Sequence, residues 1–199
     1  MGPILVADSL EGRTSTTGGY CCCRLSVEGT NVIDDPEGQH SSSQELSDVE
    51  KRENVVRLAF GGDEERFREF VETVRLGIPE GVGAVLRGSA VTGRRWNDDA
   101  PFDAEGPGTS DLDLTLVGGE ALKLFRLDGF FVPGLHSRPL SDDEDPGIAP
   151  DLVSLRQKLM MMAGRPVNIQ ATGDLIMFLR GDLLGQPYLT IVARRPDEE

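Results

Sequence analysis

No apolar run in the sequence approaches the ~18 residues that a membrane-crossing helix needs, so no membrane span is expected. Basic residues are the minority, 20 against 34 acidic, and the net charge is −14. A chain of that sign lacks the basic stripe that general nucleic-acid binding requires, so large nucleic acids are disfavoured as partners. A local basic pocket for one nucleotide stays compatible with it. Cysteine is nearly absent: Cys21, Cys22 and Cys23 are consecutive and are the only three. Adjacent cysteines are poorly placed to bridge one another or to surround one zinc, so reduced thiols in a cytoplasmic chain are expected. The opening Met1-Gly-Pro-Ile-Leu-Val-Ala-Asp-Ser9 has neither a basic region nor a long apolar segment, which argues against a secretory leader. No internal repeat is present.

What is present divides near residue 52. Residues 1–52 contain Thr14-Ser-Thr-Thr-Gly-Gly19 and Ser41-Ser-Ser-Gln-Glu-Leu-Ser47, polar linker-like stretches with no sustained apolar face. They predict a poorly ordered N-terminal extension. Residues 53–199 predict one domain. Phe67, Phe70, Val71 and Val74 keep helical spacing between Asp63, suited to a helix start, and Gly77, suited to its end. Val82 to Arg87 reads as a buried strand, and Leu112 to Val117 as a second. Short elements are expected at Glu120–Arg126 (helix) and Phe130–Val132 (strand). Pro150 opens a helix with a stripe of Leu152, Leu155, Leu159 and Met162, closed by Gly164. Val167–Thr172 and Tyr188–Ala193 predict strands around a short helix at Asp174–Arg180. The alternation predicts an α/β (α+β) fold, a mixed β-sheet with helices mainly on one face.

The chemistry concentrates in two segments. In Ser110-Asp-Leu-Asp-Leu-Thr-Leu-Val117 the side-chain period of two puts Asp111, Asp113 and Thr115 on one strand face and Leu112, Leu114 and Leu116 on the other. Neighbouring carboxylates repel unless protons, basic groups or a cation relieve them. Oxygen ligands of this kind suit Mg²⁺, which keeps waters and takes substrate phosphates as further ligands. Upstream, Leu86-Arg-Gly-Ser-Ala-Val-Thr-Gly93 ends a strand at Gly88-Ser89 and can begin a helix at Ala90–Trp96. Glycine permits close approach, amides at a helix start favour phosphate, and Ser89 adds a hydroxyl. Arg94 and Arg95 add positive charge, as phosphate clamps or as solvated cations. An exposed strand with one solvated face and an ordinary strand-to-helix turn account for the same residues without any ligand.

The order of these motifs resembles the nucleotidyltransferase superfamily, with its DNA polymerase β-like fold. An apolar strand ending in Gly88-Ser89 is followed by a loop and by Asp111-Leu-Asp113 on the next strand. The resemblance covers Val82 to Val117 directly. It implies that Gly88 and Ser89 hold the triphosphate of an incoming nucleotide, with Arg94 as an auxiliary clamp. It further implies that Asp111 and Asp113 bind two divalent ions, Mg²⁺ or Mn²⁺. Two departures stand out. The loop from Ser89 to Asp111 is long and carries Trp96 and Phe102, which suit either base stacking or loop anchoring. The later strand, where the family places a third carboxylate, carries Asn168 and Gln170, and an amide is not a general base.

The resemblance implies a metal-dependent transfer of a nucleoside monophosphate from an NTP to a hydroxyl or other acceptor, which the sequence leaves unidentified. The missing acid supports an alternative on the same fold: a catalytically silent nucleotide-binding or protein-interaction module. The N-terminal extension and the acidic tail fit a protein partner. His136 suits a structural role better than a catalytic one, and the acidic loop Asp142–Asp145 reads as a solvated turn or as the source of the missing carboxylate.

Overall fold

The computed structural model describes residues 46–173 and 187–194, all within the second of two compact units, 43–199. Most of the N-terminal extension, the three cysteines and the helix expected at Asp174–Arg180 lie outside the described residues. The elements run in the order α1 (Asp48–Ala59), α2 (Glu64–Gly77), β1 (Gly83–Arg87), α3 (Ser89–Thr92), β2 (Leu112–Val117), α4 (Gly119–Leu122), β3 (Phe130–Val132), β4 (His136–Ser137), α5 (Val153–Ala163), β5 (Val167–Thr172) and β6 (Tyr188–Val192).

Helix α1 corrects the boundary at 52. Ser47 and Glu50 close a reciprocal capping box: the Ser47 hydroxyl accepts from the Glu50 amide at 3.3 Å, and the Glu50 carboxylate accepts from the Ser47 amide at 2.8 Å. Residues 48–52 therefore belong to a helix of the folded unit, which buries Val55, Val56 and Ala59. Helix α2 starts at its Asp63 cap, as expected, and buries Phe67, Phe70 and Val74. Phe60 meets Phe67 and Phe70 edge-on, at centroid distances of 5.3 and 5.2 Å.

The sheet has six strands in the order β3-β4-β5-β2-β1-β6. β2 runs parallel to β5 and antiparallel to β1, and β1 pairs antiparallel with β6, so the sheet is mixed. The registers set Leu86 opposite Leu114, Leu112 opposite Val167, Leu114 opposite Ile169 and Leu116 opposite Ala171. One face is thus apolar across three strands, and it joins the core formed with α1, α2 and α5. Leu112, Leu114 and Leu116 are fully buried, each contributing about 1.5–3 kcal/mol of transfer free energy. The same registers align polar residues on the opposite face. Arg87 stands opposite Asp113, and Asp113 opposite Asn168; one row further, Thr115 stands opposite Gln170.

Candidate functional site

The polar face of the three central strands forms the floor of the candidate site. Asn168 donates from its amide nitrogen to both carboxylates, Asp111 Oδ2 and, at 3.3 Å, Asp113 Oδ1. The position expected to carry a third acid therefore sits beside the pair and holds it together through a neutral donor. On the other flank Arg87 lies 3.8 Å from Asp113 Oδ2, donates to Thr115 Oγ1 at 3.3 Å and donates to the Gln170 carbonyl oxygen. Asp113 thus lies between a cation and an amide. Burial raises the Asp111 pKa above its ordinary value, the Asp113 charge raises it further, and the Asn168 hydrogen bond opposes both.

Gly88 is required by this geometry. Its backbone sits at φ 77°, ψ −159°, a region essentially reserved for glycine, and a Cβ there would lie 2.8 Å from Asp113 Oδ2. The strand end can therefore lie directly against the carboxylate. The helix expected from Ala90 to Trp96 is a single turn, α3. Gly93 ends it at φ 81°, in the left-handed conformation, with its amide on the Ser89 carbonyl at 2.8 Å. Beyond it the chain folds back as a small hairpin: Arg94 bridges to Pro101, and the Arg95 amide donates to the Ala100 carbonyl at 2.8 Å.

A cleft of about 430 Å³ opens above this floor. Gly88, Ser89, Asp111 and Asp113 line it together, with Arg87, Arg95 and Trp96. Arg94 does not: its guanidinium is turned to Asp99, 3.1 Å from the carboxylate and 2.9 Å from the carbonyl. Its neighbour Arg95 lines the cleft instead, tied to Glu105 at 2.6 Å. Phe102 is buried and anchors the loop, whereas Trp96 is 65% exposed at the cleft. His136 is buried, with Nδ1 2.8 Å from Thr172 Oγ1, and Asp142 pairs with Arg156 at 2.7 Å. Neither lines the cleft.

A partly buried clasp holds the long loop in place. Asp103 accepts from the amides of Gly108 and Ser110, at 3.0 and 2.9 Å. Arg165 pairs with Asp103 at 3.0 Å, donates to the Ser110 carbonyl at 2.9 Å and stacks on Phe102 at 4.5 Å. Burial works to raise the Asp103 pKa, but the hydrogen bonds from Arg165, Gly108 and Ser110 outweigh it and hold it at about 2. Ser110 immediately precedes Asp111, so this clasp fixes the entry of the chain into the carboxylate pair. Nothing in the local sequence around Arg165 marks it as the partner of a residue 62 positions earlier.

Among the described residues, no three His, Cys, Asp or Glu side chains gather in a way that would hold a metal ion. The carboxylate pair stands with an amide as its third member. No family model, curated protein or solved structure significantly matches the chain.

Proposed function

We propose that the cleft binds a nucleoside triphosphate with a divalent cation and transfers its nucleoside monophosphate to an acceptor hydroxyl, in the manner of a nucleotidyltransferase. The observation that carries this is the placement of Asp113 against the Gly88 backbone, with Asp111 joined to it through Asn168, on the floor of one cleft. The donor set fits Mg²⁺ or Mn²⁺. Such ions are commonly held by one or two carboxylates, with waters and substrate phosphates completing the shell. Asp111 and Asp113 would hold the ion. It would supply charge stabilisation on the attacking and leaving oxygens of the displacement.

The chain's own groups bind and orient. Arg95, which also pairs with Asp98 and Glu105, and Ser89 line the cleft, and a guanidinium and a hydroxyl suit phosphate oxygens. Arg87 offsets the charge of Asp113 from the side away from Asn168. The clasp of Asp103 and Arg165 fixes Ser110 and so the entry of the chain at Asp111. A size of about 430 Å³ lies in the range of clefts that take a small organic ligand.

Asn168 favours a second reading, a site that binds the nucleotide without turnover. It has no basic atom with which to deprotonate an acceptor. The test is a screen of the four NTPs with Mg²⁺ and Mn²⁺, following pyrophosphate release and incorporation of an α-phosphate label. Release with incorporation supports transfer. Metal-dependent binding without release supports the silent site. No nucleotide binding at all removes both.

A further inference from the structure

Trp96 is the single tryptophan of the chain, and most of its surface is in water. Large apolar side chains are exposed elsewhere too, among them Leu76, Leu127, Phe131 and Met161, but of these exposed side chains among the described residues only Trp96 lines the cleft above the carboxylate pair. Packing does not explain the placement, because Phe102 already anchors the same loop in the core.

The indole is presented from a braced turn. The Asp99 amide donates to the Arg95 carbonyl at 3.0 Å and the Arg95 amide to the Ala100 carbonyl at 2.8 Å, closing the turn on either side of Trp96. The Arg94–Asp99 and Arg95–Glu105 ion pairs hold the flanking side chains at 3.1 and 2.6 Å. The backbone that presents the indole is held in this way before a ligand arrives, so less of the chain is left to order on binding. Its cleft combines three chemistries: an aromatic face at Trp96, a cation and a hydroxyl at Arg95 and Ser89, and the carboxylate pair. A ligand satisfying all three carries a flat ring, an anionic chain and a bound cation.

We propose that Trp96 is the stacking platform for the nucleobase, and that the cleft therefore prefers purine nucleoside triphosphates. The two-ring indole overlaps a two-ring base over more area than a pyrimidine, and stacking grows with the apolar area covered. This rests on the cleft being a nucleotide site, and it goes further by assigning the base subsite and the base class.

The full-length chain carries its own reporter, since all tryptophan fluorescence comes from position 96. ATP, GTP, CTP, UTP and inorganic tripolyphosphate are titrated with Mg²⁺, reading fluorescence and, in parallel, heat of binding. ATP and GTP are expected to change the emission saturably and to bind several-fold tighter than CTP and UTP. Tripolyphosphate is expected to bind with little change in emission. Trp96→Ala is expected to weaken the purine nucleotides about tenfold, a typical size for one lost base stack, and to leave tripolyphosphate unaffected. Trp96→Phe should restore part of the loss. Purine nucleotides that bind Trp96→Ala as tightly as wild type, without altering wild-type emission, overturn the platform and leave the cleft as a nucleotide site. Equal affinity for all four nucleotides overturns the purine preference. Failure of every nucleotide and of tripolyphosphate to bind overturns the nucleotide site and the platform together.

Discussion

Replacing Asp103 with Asn tests whether the loop clasp has the strength its geometry implies. The Asp103 carboxyl is held at about 2 against an ordinary 3.8. At ~1.4 kcal/mol per tenfold change in proton affinity, ionised Asp103 stabilises the fold by about 2 kcal/mol at neutral pH. The pair is partly buried, with side-chain exposures of 7% for Arg165 and 20% for Asp103, so solvent screening lowers the roughly 2.5 kcal/mol that the full shift would give. A depressed carboxyl pKa gives stability that is present above the unfolded value and lost as the pH falls through the folded one. The gap between wild type and Asp103→Asn is therefore expected to stay near 2 kcal/mol from pH 7 to pH 5 and to shrink to roughly 1 kcal/mol by pH 3. Urea unfolding at several pH values measures it. Arg165→Met should cost more, about 3 kcal/mol, because Asp103 keeps its charge without a cation and the Ser110 carbonyl loses its donor. A gap that is flat with pH, or below about 0.5 kcal/mol at pH 7, refutes the reasoning.

Three further outcomes are expected. Asp111→Asn should raise stability at neutral pH: a carboxyl with a raised folded pKa loses stability as the pH rises through that value, and the amide does not, so the gain should vanish in acid unfolding curves. Gly88→Ala should cost about 1–3 kcal/mol in thermal unfolding and weaken cation binding, because a Cβ meets Asp113 and the backbone angle disfavours it. Wild-type stability in this variant would show that the strand end does not press on the carboxylate. Asn168→Asp should lower the melting temperature without metal, through like-charge repulsion, and enlarge the stabilisation given by Mn²⁺. A Mn²⁺ effect no larger than in wild type would separate position 168 from any cation site.

The parts of the fold that were legible in the sequence have short-range causes. The alternation of Leu112, Leu114 and Leu116 against Asp113 and Thr115 announces β2 and which of its faces is buried. Asp63 and Gly77 announce the bounds of α2 through capping and glycine chemistry. Helix α1 stayed hidden because its buried residues, Val55, Val56 and Ala59, all fall in its second half, behind a charged first half. β4 is only two residues long, too short to show alternation. The early end of α3 turns on Gly93, whose left-handed conformation outweighs the helical propensity expected through Trp96.

At the site, the carboxylate pair and the glycine–serine turn could be read because they are local motifs. Of their neighbours, Asn168 was expected beside the pair through the family resemblance alone, and Arg165 was not expected at all. The parallel pairing of β2 with β5 is what sets Asn168 beside Asp113, and it joins residues 55 apart. The division of labour between Arg94 and Arg95 depends on the hairpin that turns one to Asp99 and the other to the cleft. The Arg165 clasp likewise depends on tertiary contact alone.

The central claim is that Asp111 and Asp113 hold a divalent cation together with a nucleoside triphosphate. Its most direct measurement is calorimetric titration of ATP into wild type and into Asp111→Asn/Asp113→Asn, each with and without Mn²⁺. Wild type is expected to bind ATP at least tenfold tighter with Mn²⁺ than without it, and the double variant, still folded, is expected to lose that dependence. ATP affinity that ignores Mn²⁺ in wild type, or Mn²⁺-dependent affinity that survives in the double variant, would contradict the claim.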